Sequence, residues 1–220
     1  MPALRVARVV NAIQGFLDEH SFRRQVPQIY VAPLGHDVDA WLGLNLGSGS
    51  LGLAGVAVNP VIGVRHVGIE SRYASWSSGA EVPDWVKARS TAKQGHPGAT
   101  LAVPLGYLLP DARARLWEFD REGREVTPDP LLEAALEDYA WPFMRAHSEL
   151  ATIAMGLDGW RHAMREEVLA RRAIACLMLG DREGAVAATS ALEDRVSRMV
   201  GLAVPRYRAV AEGLRAQLGG

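Results

Sequence analysis

The chain has 220 residues, of which 49% are hydrophobic and 22% are charged, and its formal net charge at pH 7 is −1. This composition is typical of a globular protein and excludes wholesale disorder. Basic and acidic residues are spread evenly along the sequence. Neither half therefore has the basic excess of a duplex-binding domain, and we expect no nucleic-acid partner.

The cysteine content and the hydropathy of the sequence indicate the cellular compartment of the protein. Cys176 is the only cysteine, which excludes an intramolecular disulfide and a cysteine-rich zinc site. It lies in the apolar run from Ala173 to Leu179, which indicates a buried thiol rather than a nucleophile. No stretch reaches the roughly 18 uninterrupted apolar residues of a membrane span, and the first residues lack the apolar core of a secretory signal. We therefore expect a cytoplasmic protein with no membrane partner.

The first half of the sequence predicts one helix followed by a sheet. Apolar residues recur at helical spacing from Val6 to Leu17, and this helix should end near His20. Short β-type segments separated by glycine and proline follow, and Asn59-Pro60 is a strong turn signal between two of them. The predicted strands are 28–32, 40–46, 51–58, 61–69, 100–107 and 115–119. The run 66–76 fits neither the strand nor the helix period well, and a helix over residues 70–76 is one option. Residues 81–91 fit a short helix.

After Arg124 the pattern becomes helical. Thr127 or Asp129 can cap the next helix, and Pro142 must bend or end it because proline removes a helical hydrogen bond. A short helix follows Ser148. The last part predicts a helical hairpin and one further helix, at 166–179, 183–200 and from 205 onward. The hairpin looks like one tetratricopeptide-type unit, and no second copy follows at a fixed period.

These patterns predict an α+β fold with a mostly antiparallel β-meander. An N-terminal helix precedes the meander, helices cover it, and a helical hairpin plus one helix ends the chain. We predict an α+β domain over residues 1–158 and a C-terminal helical extension over residues 159–220. The extension is expected to pack on the first domain as one unit.

A glycine-rich segment at Gly47-Ser48-Gly49-Ser50-Leu51-Gly52 matches the dinucleotide-binding pattern G-x-G-x-x-G in form only. In that motif the third glycine opens a helix whose N-terminus faces the pyrophosphate. Here the following residues contain Gly55 and soon reach Asn59-Pro60, which leaves too little chain for such a helix. We interpret the segment as a hairpin loop and expect no cofactor.

Two small clusters carry side chains that could act as acids, bases or ligands. His36, Asp37 and Asp39 precede or begin a strand, where alternate residues share a face. His66 and Glu70 are four residues apart, which puts them on one face of a helix and also on one face of a strand. They are the best acid/base pair of the sequence. Turn-forming aspartates and a structural histidine–carboxylate pair are the simpler interpretations. No histidine pair has the spacing of a helical metal site, so no metal is expected.

Binding to another protein would use a different set of residues. Arg65 and His66 belong to the second cluster, and Trp85 and Trp160 lie in irregular, polar surroundings. Exposed tryptophan and arginine are common anchors of protein interfaces. We predict Arg65, His66, Trp85 and Trp160 as binding residues, with core packing as the alternative for the tryptophans.

Three stretches together resemble a known group of proteins. They are "NPVIGVRHVGIE" (59–70), "VPLGYLLPDARARLWEF" (103–119) and "ALEDYAWPFMRAHSEL" (135–150). In this order they resemble uncharacterised bacterial proteins of the domain-of-unknown-function type, some of which are associated with toxin-immunity and phage-defence loci. The resemblance covers about residues 5–157. It implies a binding protein and supplies no catalytic residues.

We therefore expect a non-enzymatic protein-binding protein of the immunity or defence-associated type, whose partner is another protein. Enzymatic activity remains the alternative, as a small hydrolase or nuclease that uses His36, Asp37, Asp39, His66 and Glu70. That alternative requires all five side chains in one cleft. The sequence leaves the oligomeric state open.

Overall fold

The computed structural model describes residues 2–47, 55–78, 98–126 and 129–219, with side chains from residue 6 onward. The chain forms two compact units, and each is built from two separate stretches of sequence. Unit 1 comprises residues 1–64 and 102–148, and unit 2 comprises residues 65–101 and 149–220.

Unit 1 begins with two short helices, α1 (Pro2–Ala12) and α2 (Gln14–Glu19). The sequence predicts one helix here, and the structure interrupts it at Ile13, whose φ of −121° and ψ of 15° are not helical. The apolar stripe is nevertheless the predicted one, because Val9, Ile13, Phe16 and Leu17 are all buried. The buried Ile13 side chain keeps both short helices on the core.

The sheet is a meander in the order β1-β2-β3-β4-β5, and β6 pairs with β4. The strands are β1 (Arg23–Val26), β2 (Ile29–Pro33), β3 (Val38–Gly47), β4 (Val56–His66), β5 (Leu101–Pro104) and β6 (Trp117–Phe119). The pairs β1–β2, β2–β3 and β4–β6 are antiparallel. This arrangement confirms the predicted α+β class with its antiparallel meander.

The predicted turn at Asn59-Pro60 is wrong, because β4 runs through it without a break. Proline is tolerated in a strand where its missing N–H is not needed for pairing. The β4 residues that pair with β6 are Val56 to Val58, so Pro60 lies beyond that ladder. Pro60 is also buried, and its apolar ring is stable in such surroundings.

The second stretch of unit 1 contains one helical run made of three segments. A 3₁₀ turn (Leu105–Tyr107) follows β5, and the run itself consists of α4 (Leu132–Ala135), a π-helical turn (Leu136–Ala140) and α5 (Trp141–Ala146). The run changes from a π-helical turn to α5 just before Pro142, at the point where the sequence predicts a bend or an end. Pro142 lies in the first turn of α5, where its missing N–H costs least. α5 packs on β3.

Unit 2 is helical. Its described helices are α3 (Val67–Ser78), α6 (Leu150–Leu157), α7 (Arg165–Leu179), α8 (Arg182–Arg198) and α9 (Val204–Gly219). α7 and α8 form the predicted hairpin, α9 packs on both, and α3 packs on α7 and α9. The helix predicted as one option for residues 70–76 is therefore confirmed. The helix predicted for residues 81–91 lies outside the described residues.

The two compact units group the elements by their contacts, and the predicted boundary at residue 158 stays a prediction. α3 follows the sheet strand β4 in sequence, yet it belongs to the helical unit. The reason is its packing, since Ile69 and Tyr73 are buried and α3 contacts two helices of the C-terminal segment. None of the helices in the described part of the chain is long and apolar enough to cross a membrane.

The turn between α7 and α8 depends on one glycine. Gly180 ends α7 with a φ of 76°, in the left-handed region that suits glycine. The N–H of Asp181 then bonds the carbonyl of Cys176 at 2.9 Å, and the Asp181 carboxylate accepts the N–H of Gly184 at 2.9 Å as the cap of α8.

Replacing Gly180 with alanine should therefore lower the free energy of unfolding by about 1 kcal/mol, since a Cβ is strained at this φ. Urea denaturation measures the change. Gly219→Ala is the matched control, because Gly219 is helical, its Cβ would meet no atom, and no positive φ is found there. Equal stability of the two variants would contradict the expected strain.

Candidate functional site

The first predicted cluster lies at the connection between β2 and β3 in unit 1. The N–H groups of Leu34 and Gly35 both bond the carbonyl of Val38, which closes a tight turn. The His36 side chain is 99% exposed and its Nδ1 lies 3.6 Å from the Asp37 carboxylate, which is itself 60% exposed. Asp39 follows in β3, opposite Pro33. The turn thus presents His36 and Asp37 to solvent.

The second predicted cluster lies in unit 2. His66 ends β4 and is only 4% exposed. Its backbone N–H donates to the Thr100 hydroxyl at 2.9 Å, and its Nδ1 accepts the N–H of Gly68 at 3.2 Å. Glu70 lies in the first turn of α3. The five residues of the hydrolase hypothesis are therefore divided between the two units, and neither unit contains all of them.

Glu70 is the centre of a buried ion-pair network. Its Oε1 accepts hydrogen bonds from the Thr100 hydroxyl at 2.9 Å and from Nε of Arg171 at 2.8 Å. Its Oε2 accepts a second bond from the same guanidinium at 3.2 Å, so the pair is bidentate. Arg171 also donates to Glu167, one turn earlier on α7, at 3.1 Å. The network joins α3, Thr100 and α7.

Two tyrosine rings and a second arginine extend this network. The Arg171 guanidinium lies 4.8 Å and the Arg206 guanidinium 5.1 Å from the centre of the Tyr73 ring. Burial opposes the charge on Arg171, but Glu70 and Glu167 outweigh it, so its pKa is raised and it stays protonated. Burial also raises the pKa of Tyr73, and burial together with Glu167 raises the pKa of Tyr207 to about 12. Both phenols are therefore neutral at physiological pH.

The predicted binding residues fall in different places. Arg65 is half-buried beside His66, and the burial of the His66 side chain keeps it from a protein partner in this conformation. Trp85 lies outside the described residues. Trp160 is partly exposed in the loop between α6 and α7, where its ring contacts His162 edge-on at 5.3 Å. Of the predicted set, Trp160 is the best placed to meet a partner.

Two loops meet at the end of unit 2 that carries Trp160. They are residues 158–164, before α7, and residues 199–203, between α8 and α9. Arg195 in the last turn of α8 donates to Glu166 in the first turn of α7 at 2.7 Å, which places the two helix ends side by side. The hydroxyl of Tyr207 in the first turn of α9 lies 3.7 Å from the Met164 sulfur.

These loops present apolar side chains to solvent, and we call this set the loop surface: Trp160, Met164, Val200 and Leu202. Val200 is 94% exposed, Met164 54% and Leu202 51%. The loop before α7 also borders a depression of about 410 Å³, which is lined by Gly159, Trp160, Arg161, Ala163 and Arg165. Sequence reasoning identified Trp160 alone. The signal for Val200 and Leu202 is the apolar run from Met199 to Ala203 between two helices, where no helical face requires it.

The described residues of the loop surface are apolar or basic. Within the described residues it contains no group of histidine, cysteine and carboxylate side chains close enough to share a metal ion. Arg161 and Arg165 line the depression, and no ion pair of either is found in the described part of the chain.

No protein family, curated protein or solved structure matches this chain.

The buried network gives a stability prediction. Arg171→Met should lower the free energy of unfolding by about 3 kcal/mol or more, because it leaves the Glu70 carboxylate buried without its cation. The double variant Glu70→Leu/Arg171→Met should be more stable than Arg171→Met alone, since no lone charge remains. Chemical denaturation of the two single variants and the double variant measures the coupling.

Arg215→Met is the matched control for this cycle. Arg215 pairs with Glu193 on the surface of the helical unit, with Nε and Oε1 2.6 Å apart, and its side chain is 55% exposed. Exposed pairs contribute little to stability, so this variant should unfold almost as the wild type does. If Arg171→Met were equally mild, the network would not be essential to unit 2.

Proposed function

We propose that this chain is a non-enzymatic protein-binding protein whose partner docks on the loop surface of unit 2. The observation that carries the proposal is a set of three exposed apolar side chains and the partly exposed Trp160 on two adjoining loops, one of which lines a basic depression. Clustered exposed apolar side chains are unfavourable in water, and in folded proteins they commonly mark interaction sites.

The apolar part of the loop surface supplies the affinity in this proposal. Burying apolar area contributes about 25 cal/mol per Å², and Val200 at 94% exposure has most of its area available. Trp160 beside the depression is the type of residue that dominates alanine scans of interfaces. Short loops held at both ends by helices also lose little conformational freedom when they bind.

The charge of the loop surface selects the partner. Arg161 and Arg165 line the depression, and Arg208 is exposed in the second turn of α9. In the described part of the chain none of the three is found in an ion pair, so their charges are available to an acidic partner. We therefore assign the surface to a protein segment with one or more apolar anchors flanked by aspartate or glutamate.

The immunity-type or defence-associated role is a narrower form of this proposal. It rests on the resemblance carried by residues 59–70, 103–119 and 135–150, and it makes the partner a protein of a toxin or phage-defence system. A cytoplasmic location belongs to the same proposal, since the lone buried Cys176 needs no oxidising compartment.

Selection from a phage-displayed library of random peptides tests the chemistry of the partner. The full chain should enrich peptides that combine an aromatic or aliphatic anchor with flanking acidic residues. Fluorescence anisotropy of the enriched peptides should give saturable binding that weakens as salt rises, because salt screens the arginines. Val200→Asp should weaken this binding by at least roughly tenfold, since it places a carboxylate among the apolar anchors.

Leu179→Asp is the matched control, because Leu179 is 45% exposed and lies at the opposite end of α7 from the loop surface. It should bind the peptides as the wild type does. Enriched peptides without acidic residues, or equal binding by both variants, would overturn the proposal. So would a wild-type dimer that Val200→Asp converts to a monomer in light-scattering chromatography, since the surface would then bind a second copy.

A further inference from the structure

We propose that Glu19, His20 and Glu137 in unit 1 form a binding site for a divalent transition-metal cation, with Zn²⁺ as the cation that their donor atoms favour. One ring nitrogen of His20 and one carboxylate oxygen of each glutamate all lie within 4.8 Å of one another. A mixed set of one imidazole and two carboxylates is a donor set found at zinc sites.

The imidazole of His20 is fixed in position by aromatic packing. His20 follows α2, and its ring stacks on Trp141 with the ring centres 4.0 Å apart and the planes at 24°. Phe16 contacts it edge-on at 4.8 Å. The His20 side chain is only 11% exposed, and its Nε2 lies 2.8 Å from Oε2 of Glu137. A side chain fixed in this way loses little conformational entropy when it binds a cation.

The second ligand comes from the π-helical turn, 117 residues away in sequence. Glu133, one turn earlier, accepts the backbone N–H of Phe16 at 2.9 Å, which holds this helical run against α2. The approach is close, because a Cβ on Gly15 would meet the Glu133 carboxylate at 2.6 Å. π-helical turns are rare and frequently occur at functional sites. Here the turn sets the direction of Glu137.

The charges of the cluster favour a cation. In the described part of the chain, neither Glu19 nor Glu137 pairs with an arginine or a lysine. The only described ion-pair partner of Glu137 is His20, which carries at most one positive charge. A divalent cation would neutralise the two carboxylates.

The spacing suits zinc after a small movement. Zinc bonds of about 2.1 Å in tetrahedral geometry place the ligand atoms about 3.4 Å from one another. Nε2 of His20 and Oε2 of Glu137 are closer together than this, at 2.8 Å. All three ligand atoms lie within 4.8 Å of one another, so small side-chain rotations would bring them to the zinc spacing. Glu19 is exposed and can rotate to close the site. Mg²⁺ and Ca²⁺ prefer oxygen ligands alone, so the imidazole discriminates against them.

Isothermal titration of the full chain, after dialysis against a chelator, tests the site. One equivalent of Zn²⁺ should bind saturably, and Mg²⁺ should give no comparable signal. His20→Asn, Glu137→Gln and Glu19→Gln should each weaken zinc binding by more than roughly tenfold. Because Glu19 is exposed, Glu19→Gln keeps the test valid even if the other two variants lose the fold, which circular dichroism would detect.

His36→Asn and Glu122→Gln are the controls for adventitious binding, since both side chains are well exposed, at 99% and 65%. They should bind zinc as the wild type does. Absence of saturable zinc binding, or unchanged binding by Glu19→Gln, would overturn the site. The loop-surface variant Val200→Asp should retain zinc binding, so that this proposal and the proposed function can fail separately.

Discussion

The architecture of unit 2 depends on the bidentate ion pair between Glu70 and Arg171. Both side chains are almost fully removed from water, at 11% and 9% exposure, so each charge requires the other. The third nitrogen of the guanidinium, Nη1, donates to Glu167, and the guanidinium lies against the face of Tyr73. The pair is separated by 101 residues in sequence, and it explains why α3 belongs to the helices rather than to the sheet that precedes it.

The same network holds the base of the loop surface. Glu167 lies 3.8 Å from Arg206 of α9, and the neighbouring Glu166 pairs with Arg195 of α8. Three helix ends are therefore tied together by charge at the point where the two loops leave them. Exposed apolar side chains on fixed loops are pre-organised for binding, which is why we assign the interaction to this end of the unit.

The sequence predicts the structural elements that depend on residues close together in the chain. The hairpin of α7 and α8 follows from helical periodicity and from Gly180-Asp181, which ends one helix and caps the next. The class of fold and most strands follow in the same way. The division into units could not be predicted, because it depends on the distant partner that Glu70 finds. Asn59-Pro60 misled for a related reason, since whether a strand tolerates a proline depends on where its ladder ends, and the β4–β6 ladder ends at Val58.

The candidate sites show the same limit. Trp160 could be predicted because a tryptophan in polar surroundings is conspicuous, whereas Val200 matters only because the structure leaves it uncovered. The proposed metal site has no counterpart among the sequence expectations, because His20 and Glu137 come from distant segments and Glu137 lies in a π-helical turn. Periodicity places the elements of this protein. The contacts between Glu70 and Arg171 and between His20 and Glu137 join residues that are 101 and 117 positions apart. Sequence periodicity does not reveal contacts over such separations.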